Sequence, residues 1–187
     1  MLEKCIIRLI EYQIRQGILE EKDKRLYQYG YQVMVEYAAN LLMAVLIATV
    51  FHAYGIVFIF TLAFMLVRSY AGGYHAKTGL GCFILSAWMQ IAVILGVRML
   101  CGIEPVNQGI FGTEIIMIIY IWNRIPVPVK NKPMSESERL HFQKRARVLY
   151  TLELLTEIIF LSVHRAEWAM AVWSAHLIVF LLLLPVS

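Results

Sequence analysis

The sequence is short of charge for its length, and this shortage excludes an ordinary soluble domain. Charged residues make up 16% of its 187 residues and hydrophobic residues 60%, and the mean hydropathy is +0.66. A soluble globular domain carries about 25% charged residues, because it needs them to keep a hydrated surface. We therefore predict an integral membrane protein.

Cysteines are few, and the sequence contains neither internal repeats nor low-complexity tracts. The three cysteines, Cys5, Cys82 and Cys101, do not suggest a disulfide framework, and Cys5 is expected on the reducing, cytoplasmic side. The N-terminal stretch also lacks the uninterrupted apolar core of a signal peptide, because charges such as Glu3 and Glu11 run through it. We therefore expect no cleaved leader.

Long apolar runs are what the sequence does contain. A bilayer core about 30 Å thick needs about 20 apolar residues per helix, and shorter runs suffice where the membrane thins. Six runs qualify as candidate spans: Val33–Phe51, Ala53–Val67, Leu80–Leu100, Gly109–Trp122, Val148–Val163 and Trp168–Leu184. We predict an all-α polytopic membrane protein, a single domain over residues 1–187 with a six-span bundle over residues 33–185.

The lysines and arginines indicate the orientation of these spans. If the spans alternate, all 17 of these residues except Arg98 and Arg165 fall on one side of the membrane. Short cytoplasmic loops carry the excess of Lys and Arg, so both termini are expected in the cytoplasm. Removing any one span would scatter these charges across both faces, which supports the count of six.

The first 32 residues are predicted to contain an amphipathic helix. Six apolar residues recur there at helical spacing: Leu2, Ile6, Leu9, Ile10, Ile14 and Ile18. A helix with one apolar face and one charged face can lie in the membrane interface, here on the inner side. A helix packed on cytoplasmic loops would show the same pattern.

One polar, glycine-rich stretch, VRSYAGGYHAKTGLGCFIL, lies between the second and third runs. In a continuous helix His75 and Cys82 would share a face about 10 Å apart, too far for a base to activate a nucleophile. The Gly72-Gly73 pair, and Thr78-Gly79 with Gly81, are predicted to break the helix and allow closer approach.

Cys82 is expected in the first turn of the third span. The positive end of the helix dipole and a nearby imidazole together favour a nucleophilic thiolate. The unpaired backbone N–H groups of this first turn could also stabilise an oxyanion, and Arg68 and Lys77 add positive potential. A cysteine in an apolar helix is otherwise simply a small hydrophobe, so the chemistry alone leaves both interpretations open. Two ligands are too few for a metal site, and no metal or cofactor is expected.

Ionisable residues within the spans suggest a second class of function. His176 is a functional candidate by default, although packing against a polar partner fits equally. Glu153 and Glu157 share a helix face and are expected to line the bundle interior or a subunit contact. With Glu114, these residues could line the path of a small peptide transporter; a purely scaffolding protein is the third hypothesis.

The loop NRIPVPVKNKPMSESERLHFQKRARV is basic, with an extended first part and a helix from about Ser135, where Ser135 and Glu138 form a possible capping box. It could anchor the inner face through lipid phosphates, or it could dock an acidic peptide. Its candidate binding residues are Arg124, Lys130, Lys132, Arg139, Lys144, Arg145 and Arg147.

The stretches RSYAGGYH and AKTGLGC, with the later PVPVKNKP, resemble the signature of the accessory gene regulator B family, and the resemblance covers nearly the whole chain. These are membrane endopeptidases of peptide quorum-sensing systems in Gram-positive bacteria. The resemblance implies that Cys82 is the nucleophile and His75 its base, with Arg68 and Gly73 at further motif positions.

The resemblance also implies a substrate: the family cleaves the acidic C-terminal tail from an autoinducer propeptide. A Cys82 thioester would remain, and a cysteine or serine of the peptide would attack it to give a thiolactone or lactone. The site is expected at the cytoplasmic face of the cell membrane, in a homodimer, with the propeptide and the bilayer as partners and no role for nucleic acid. No Asp or Asn lies in the His75 loop to orient the histidine, whereas Asn123 and Asn131 could approach it from the basic loop.

Overall fold

A computed structural model describes residues 2–72, 79–127 and 135–184 of the chain. Seven α-helices follow one another in these ranges: α1 Leu2–Arg15, α2 Lys24–Val50, α3 Tyr54–Ala71, α4 Gly79–Leu100, α5 Glu104–Arg124, α6 Glu136–Ser162 and α7 Ala166–Leu183. A 3-10 turn, Glu21–Asp23, precedes α2, and one isolated backbone bridge joins Gly72 to Val127. The described residues therefore confirm the all-α class.

The chain forms two compact units, Met1–Met43 and Ala44–Ser187. In the first unit, Ile6 and Ile10 of α1 are buried, and the Gln13 side chain donates a 2.8 Å hydrogen bond to the Tyr31 hydroxyl of α2. This confirms a helix at the N-terminus, but α1 ends at Arg15. Gly17, with φ of 70°, follows this end, so Ile18 lies outside the helix that the apolar pattern had extended to it.

The second unit is built around α7. This helix contacts α3, α4, α5 and α6. From its start to its middle, α7 packs small residues such as Ala171 and Ala175 among Ile56, Phe60 and Ile94. Small side chains let helix backbones approach closely, which is how helices associate when lipid surrounds them.

A second buried cluster lies at the other end of α7. Val179 and Leu183 contact the cluster formed by Val67 and Ala71 of α3, Ile121 of α5 and their neighbours. This cluster holds together the ends of α3 and α5, from which the two motif-bearing loops emerge.

Each of the six predicted spans corresponds to a helix, from α2 to α7. Within the described residues, four helical segments are long and apolar enough to cross a membrane: Glu21–Val50, Tyr54–Ala71, Gly79–Leu100 and Ala166–Leu183. Large apolar side chains on their surfaces, such as Leu80 and Met99, are exposed, as lipid-facing residues would be. Several apolar helices therefore indicate a multi-pass membrane protein, while spanning by α5 and α6 and an interfacial position of α1 stay predictions.

Candidate active site

Cys82 lies in the first turn of α4, which begins at Gly79. Its thiol is partly exposed and forms no disulfide. The position agrees with the predicted start of this helix and sets the sulfur at the positive end of the helix dipole. Gly81 is helical, so its predicted part in the break is wrong, whereas Gly79 is the first residue of α4 and Thr78 lies outside the described residues.

The break ahead of the histidine is at Gly72. Helix α3 ends at Ala71, and Gly72 adopts φ 74° and ψ −148°, a conformation almost restricted to glycine. His75, Gly73 and Lys77 lie outside the described residues, so the proximity of His75 to Cys82 stays a prediction.

Gly72 also joins the two motif-bearing loops. The Val127 amide donates a 2.9 Å hydrogen bond to the Ala71 carbonyl, and Gly72 and Val127 form a parallel bridge. A β-carbon on Gly72 would overlap the Val127 carbonyl oxygen. The His75 loop therefore starts beside the start of the proline-rich loop, as would be required if one site used residues of both.

Arg68 lies in the last turn of α3 and is half-buried. Its carbonyl accepts a hydrogen bond from the Gly72 amide, at 3.4 Å, which closes the helix. A cation in the last helical turn is favoured by the helix dipole. Arg68 thus carries its charge where the helix dipole favours it, one turn before the glycine that ends α3.

Asn123 stays a candidate to orient the histidine, because His75 lies outside the described residues and the amide oxygen Oδ1 is the atom that would accept from its ring. Asn123 Nδ2 donates a 2.8 Å hydrogen bond to the Ile119 carbonyl of its own helix. Asn131, the other candidate, lies outside the described residues.

The basic start of α6 contacts both motif-bearing helices. Arg145 Nη1 donates a 3.3 Å hydrogen bond to the Tyr70 hydroxyl of α3, and its guanidinium lies 5.8 Å from the Tyr70 ring centre. Arg147 Nη2 donates a 2.9 Å bond to the Trp122 carbonyl of α5, with the guanidinium 5.0 Å from the Trp122 ring centre. The structure thus brings part of the predicted peptide-binding set next to the segment that precedes His75.

Two surface grooves run along this part of α6. One, of about 580 Å³, is lined by Trp122, Lys144 and Arg147 among others, and the second, of about 450 Å³, by Tyr70, Lys144 and Arg145. Arg124 and Arg139 are exposed, while Lys130 and Lys132 lie outside the described residues. A groove with an apolar floor and cationic edges can hold an extended peptide with acidic side chains.

Helix α6 begins as its sequence predicts. Ser135 caps the helix by accepting a hydrogen bond from the Glu138 amide, and the Glu138 carboxylate accepts one from the Ser135 amide. This capping box fixes the register in which the basic side chains leave the helix.

A buried polar cluster lies where α5, α6 and α7 meet. His176 Nδ1 is 2.8 Å from Glu114 Oε1 and its Nε2 is 3.0 Å from Glu153 Oε2. Glu157 Oε2 lies 3.9 Å from Nδ1, and the Tyr150 hydroxyl donates a 2.8 Å bond to Glu114 Oε1. All five residues are at most 7% exposed.

His176 packs against polar partners, as one of the two interpretations of its sequence position predicted, and these partners are the three glutamates. The residues that the transport hypothesis placed along a path contact one another in a closed cluster. Tyr150 was missed, although its spacing from Glu153 and Glu157 puts all three on one face of α6.

The other two cysteines occupy different surroundings from Cys82. Cys5 is exposed on α1, and Cys101 is partly buried just after the end of α4. Burial, and then the negative charge of Glu167, raises the pKa of the Cys101 thiol above its usual value. Cys101 lacks the helix start of Cys82, whereas Cys5, like Cys82, is the fourth residue of its helix.

A family model described as AgrB, accessory gene regulator B, matches residues 4–184. A protein of Clostridium perfringens (strain 13 / Type A), named "Putative AgrB-like protein 2", is 19% identical over 160 residues, which covers 81% of this chain and 74% of that protein. No solved structure matches the chain.

Proposed function

Because the chain belongs to the accessory gene regulator B family, we propose that it is a membrane-embedded cysteine endopeptidase with Cys82 as nucleophile and His75 as base. Membership of this family is consistent with processing of a quorum-sensing propeptide, and the apolar helices suit a multi-pass membrane protein. The observation that carries the proposal is the position of Cys82 in the first turn of α4, as the last residue of the signature that opens at the end of α3.

The proposed reaction starts with transfer of the Cys82 thiol proton to His75. The thiolate attacks the carbonyl carbon of the scissile peptide bond, and N–H groups in the first turn of α4 stabilise the oxyanion. The C–N bond then breaks, His75 returns the proton to the leaving amine, and the tail departs. The remaining peptide is held on Cys82 as a thioester.

In the second step, a cysteine or serine of the bound peptide attacks the thioester. Its proton passes to the Cys82 sulfur as the S–C bond breaks, which regenerates the thiol and closes a thiolactone or lactone. Thioester exchange conserves the activated acyl bond, so cyclisation needs no ATP. Water would hydrolyse the same bond, and a site at the inner membrane face would help to exclude it.

The basic side of α6 is proposed to bind the acidic tail. Its cationic residues border both grooves, and Arg145 contacts Tyr70, two residues before Gly72. Charge-assisted hydrogen bonds from arginine to carboxylates would place the tail beyond the scissile bond. Lys130 and Lys132 belong to the same proposed tail-binding set. Arg68, Gly73 and Lys77 are proposed to support the oxyanion or the substrate at the site. The cytoplasmic face for the site is proposed from the distribution of Lys and Arg over the loops, and a homodimeric assembly from the family resemblance.

The test uses the purified chain in lipid vesicles with a candidate propeptide. Wild type should release the acidic tail, and Cys82→Ala and His75→Ala should each reduce release to background. Loss of a nucleophile or its base typically costs several orders of magnitude in rate. Mass spectrometry of the protein should show a peptide adduct on Cys82 that hydroxylamine removes, as it does for a thioester.

Cys101→Ala is the matched control, because it removes a thiol at the other end of α4 and should leave release unchanged. Equal cleavage by Cys82→Ala and wild type would refute the thiol mechanism. Uptake of uncleaved peptide into the vesicles, without tail release, would favour the transporter hypothesis instead.

A further inference from the structure

The buried cluster of Glu114, Glu153, Glu157, His176 and Tyr150 takes no part in the proposed peptidase chemistry. Its residues come from α5, α6 and α7, and His176 is fully buried. Ionisable groups in such a position cost free energy unless they are paired or bind an ion.

The hydrogen bonds leave part of the cluster unsatisfied. Both ring nitrogens of His176 contact carboxylates, and Glu114 Oε1 also accepts from Tyr150. Within the described residues, however, Glu114 Oε2, Glu153 Oε1 and Glu157 Oε2 are buried without a hydrogen-bond partner. The Glu157 side chain is 4% exposed, and its Oε2 is directed at His176 Nδ1 from 3.9 Å.

The charges do not balance either. His176, a cation only when it is protonated, is the basic side chain that all three carboxylates face, at 2.8, 3.0 and 3.9 Å. One imidazolium carries one positive charge, and three carboxylates carry three negative charges. A buried excess of negative charge is strongly unfavourable.

We propose that Glu114, Glu157 and His176 bind a first-row divalent metal ion that joins α5, α6 and α7. One ligand atom from each residue lies within 4.8 Å of the other two. Ligand atoms around a tetrahedral ion, at about 2.1 Å from it, lie about 3.4 Å apart. The observed distances from His176 Nδ1, 2.8 Å to Glu114 and 3.9 Å to Glu157, lie on either side of that value.

The neighbouring groups fit the same assignment. A metal-bound histidine usually donates its other ring N–H to a carboxylate, and His176 Nε2 faces Glu153 Oε2. Tyr150 holds Glu114 in the same way, by donating to its carboxylate. Imidazole together with carboxylates suits zinc, manganese or iron rather than magnesium or calcium, which prefer oxygen ligands alone.

The experiment measures metal in the full chain, purified in detergent with a tag that contains no histidines. After equilibration with Zn²⁺ or Mn²⁺ and removal of free ions, elemental mass spectrometry should find about one ion per chain, because one set of three ligands binds one ion. Glu157→Gln keeps the shape of the side chain and should lose most of that metal. The matched control Glu167→Gln, an exposed site on α7, should retain it.

Thermal unfolding gives a second readout that does not depend on peptide cleavage. Zn²⁺ should raise the unfolding midpoint of wild type and Glu167→Gln but not that of Glu157→Gln, because a ligand stabilises only the state that binds it. With a chelator present, Glu157→Gln should be at least as stable as wild type, since it removes a buried carboxylate. A merely structural role for Glu157 would give the opposite order.

Two results would overturn the assignment. Equal metal in wild type and Glu157→Gln would place the ion elsewhere in the chain. Absence of bound metal and of any midpoint shift with both ions would show that shared protons balance the charge. Neither result would affect the Cys82 mechanism, which is tested by tail release.

Discussion

At the scale of single residues, Cys82 and Cys101 differ through their position relative to α4. Cys82 opens α4, where the helix dipole favours a negative charge, whereas Cys101 follows the end of the same helix. Burial, and then the negative charge of the Glu167 carboxylate, raises the pKa of the Cys101 thiol and so disfavours its thiolate. The same helix therefore favours a thiolate at its beginning and opposes one just beyond its end.

This difference predicts how Cys101 reacts. Glu167→Gln removes one of the two causes that raise the pKa of the Cys101 thiol, so the thiolate fraction at a given pH above neutrality should increase. Alkylation by iodoacetamide at pH 8, followed on the Cys101 peptide by mass spectrometry, should be faster in the variant, because the thiolate is the nucleophile. The rate should remain below that of an unhindered thiol, since burial, the larger cause, is unchanged.

Cys5 provides the internal control for this measurement. It lies on α1, away in sequence from both residues, and its alkylation rate should be the same in wild type and variant. An unchanged rate at Cys101 would show that Glu167 has no electrostatic effect on this thiol.

At the scale of elements, the junction between α3 and the residues after α5 determines where the His75 loop begins. Gly72 ends α3 in a backbone conformation that other residues avoid, and it lies directly against Val127. The double glycine predicted a helix break here. The pairing with Val127 could not be predicted, because it joins residues distant in sequence through one backbone hydrogen bond.

Gly72→Ala should therefore destabilise the chain and impair the site. A non-glycine residue in this region of φ and ψ costs about 1–3 kcal/mol, and the added methyl group would also displace Val127. We expect a lower thermal unfolding midpoint together with slower tail release.

Gly96→Ala is the matched control, because this glycine is helical within α4 and an added β-carbon meets no atom within 4 Å. Alanine is a better helix former than glycine, so its midpoint should equal or slightly exceed that of wild type. An unchanged midpoint for Gly72→Ala would mean that the contact with Val127 does not hold the Gly72 backbone in this conformation.

The start of helix α6 and the shared face of its glutamates were predictable from the sequence, but the partners of those glutamates were not. Its start follows from the sequence, since Ser135 and Glu138 form the expected capping box. The shared face of Glu153 and Glu157 follows from helical spacing. Their partners, Glu114 and His176, come from two other helices, and only the packing of all three brings them together.

At the scale of the whole molecule, apolar runs located all six helices of the predicted bundle. The pattern succeeds because a helix in lipid must be apolar over most of its length. It cannot decide whether α5 and α6 cross the membrane, because Glu114, Glu153 and Glu157 reduce their apolar character. Burial of these carboxylates against α7 removes that objection, since polar groups inside a bundle do not face lipid.

The charge distribution then favours spanning by α5 and α6. If only α2, α3, α4 and α7 crossed, the basic start of α6 would lie outside the cell, against the usual preference of Lys and Arg for the cytoplasmic side. With its 27 residues, α6 is about 40 Å long and exceeds the bilayer core of about 30 Å. We therefore expect its two ends on opposite sides of the membrane.

Single cysteines at the two ends of α6, in a chain with its three native cysteines replaced by alanine, test this arrangement. Ser162→Cys should react with a membrane-impermeant maleimide on intact cells, and Ser137→Cys only after the cells are opened. Tyr54→Cys, exposed at the start of α3, is the control that should react from outside in either arrangement. Labelling of Ser137→Cys on intact cells would instead place both ends of α6 outside, which leaves four spans and separates the basic groove from any acidic tail in the cytoplasm.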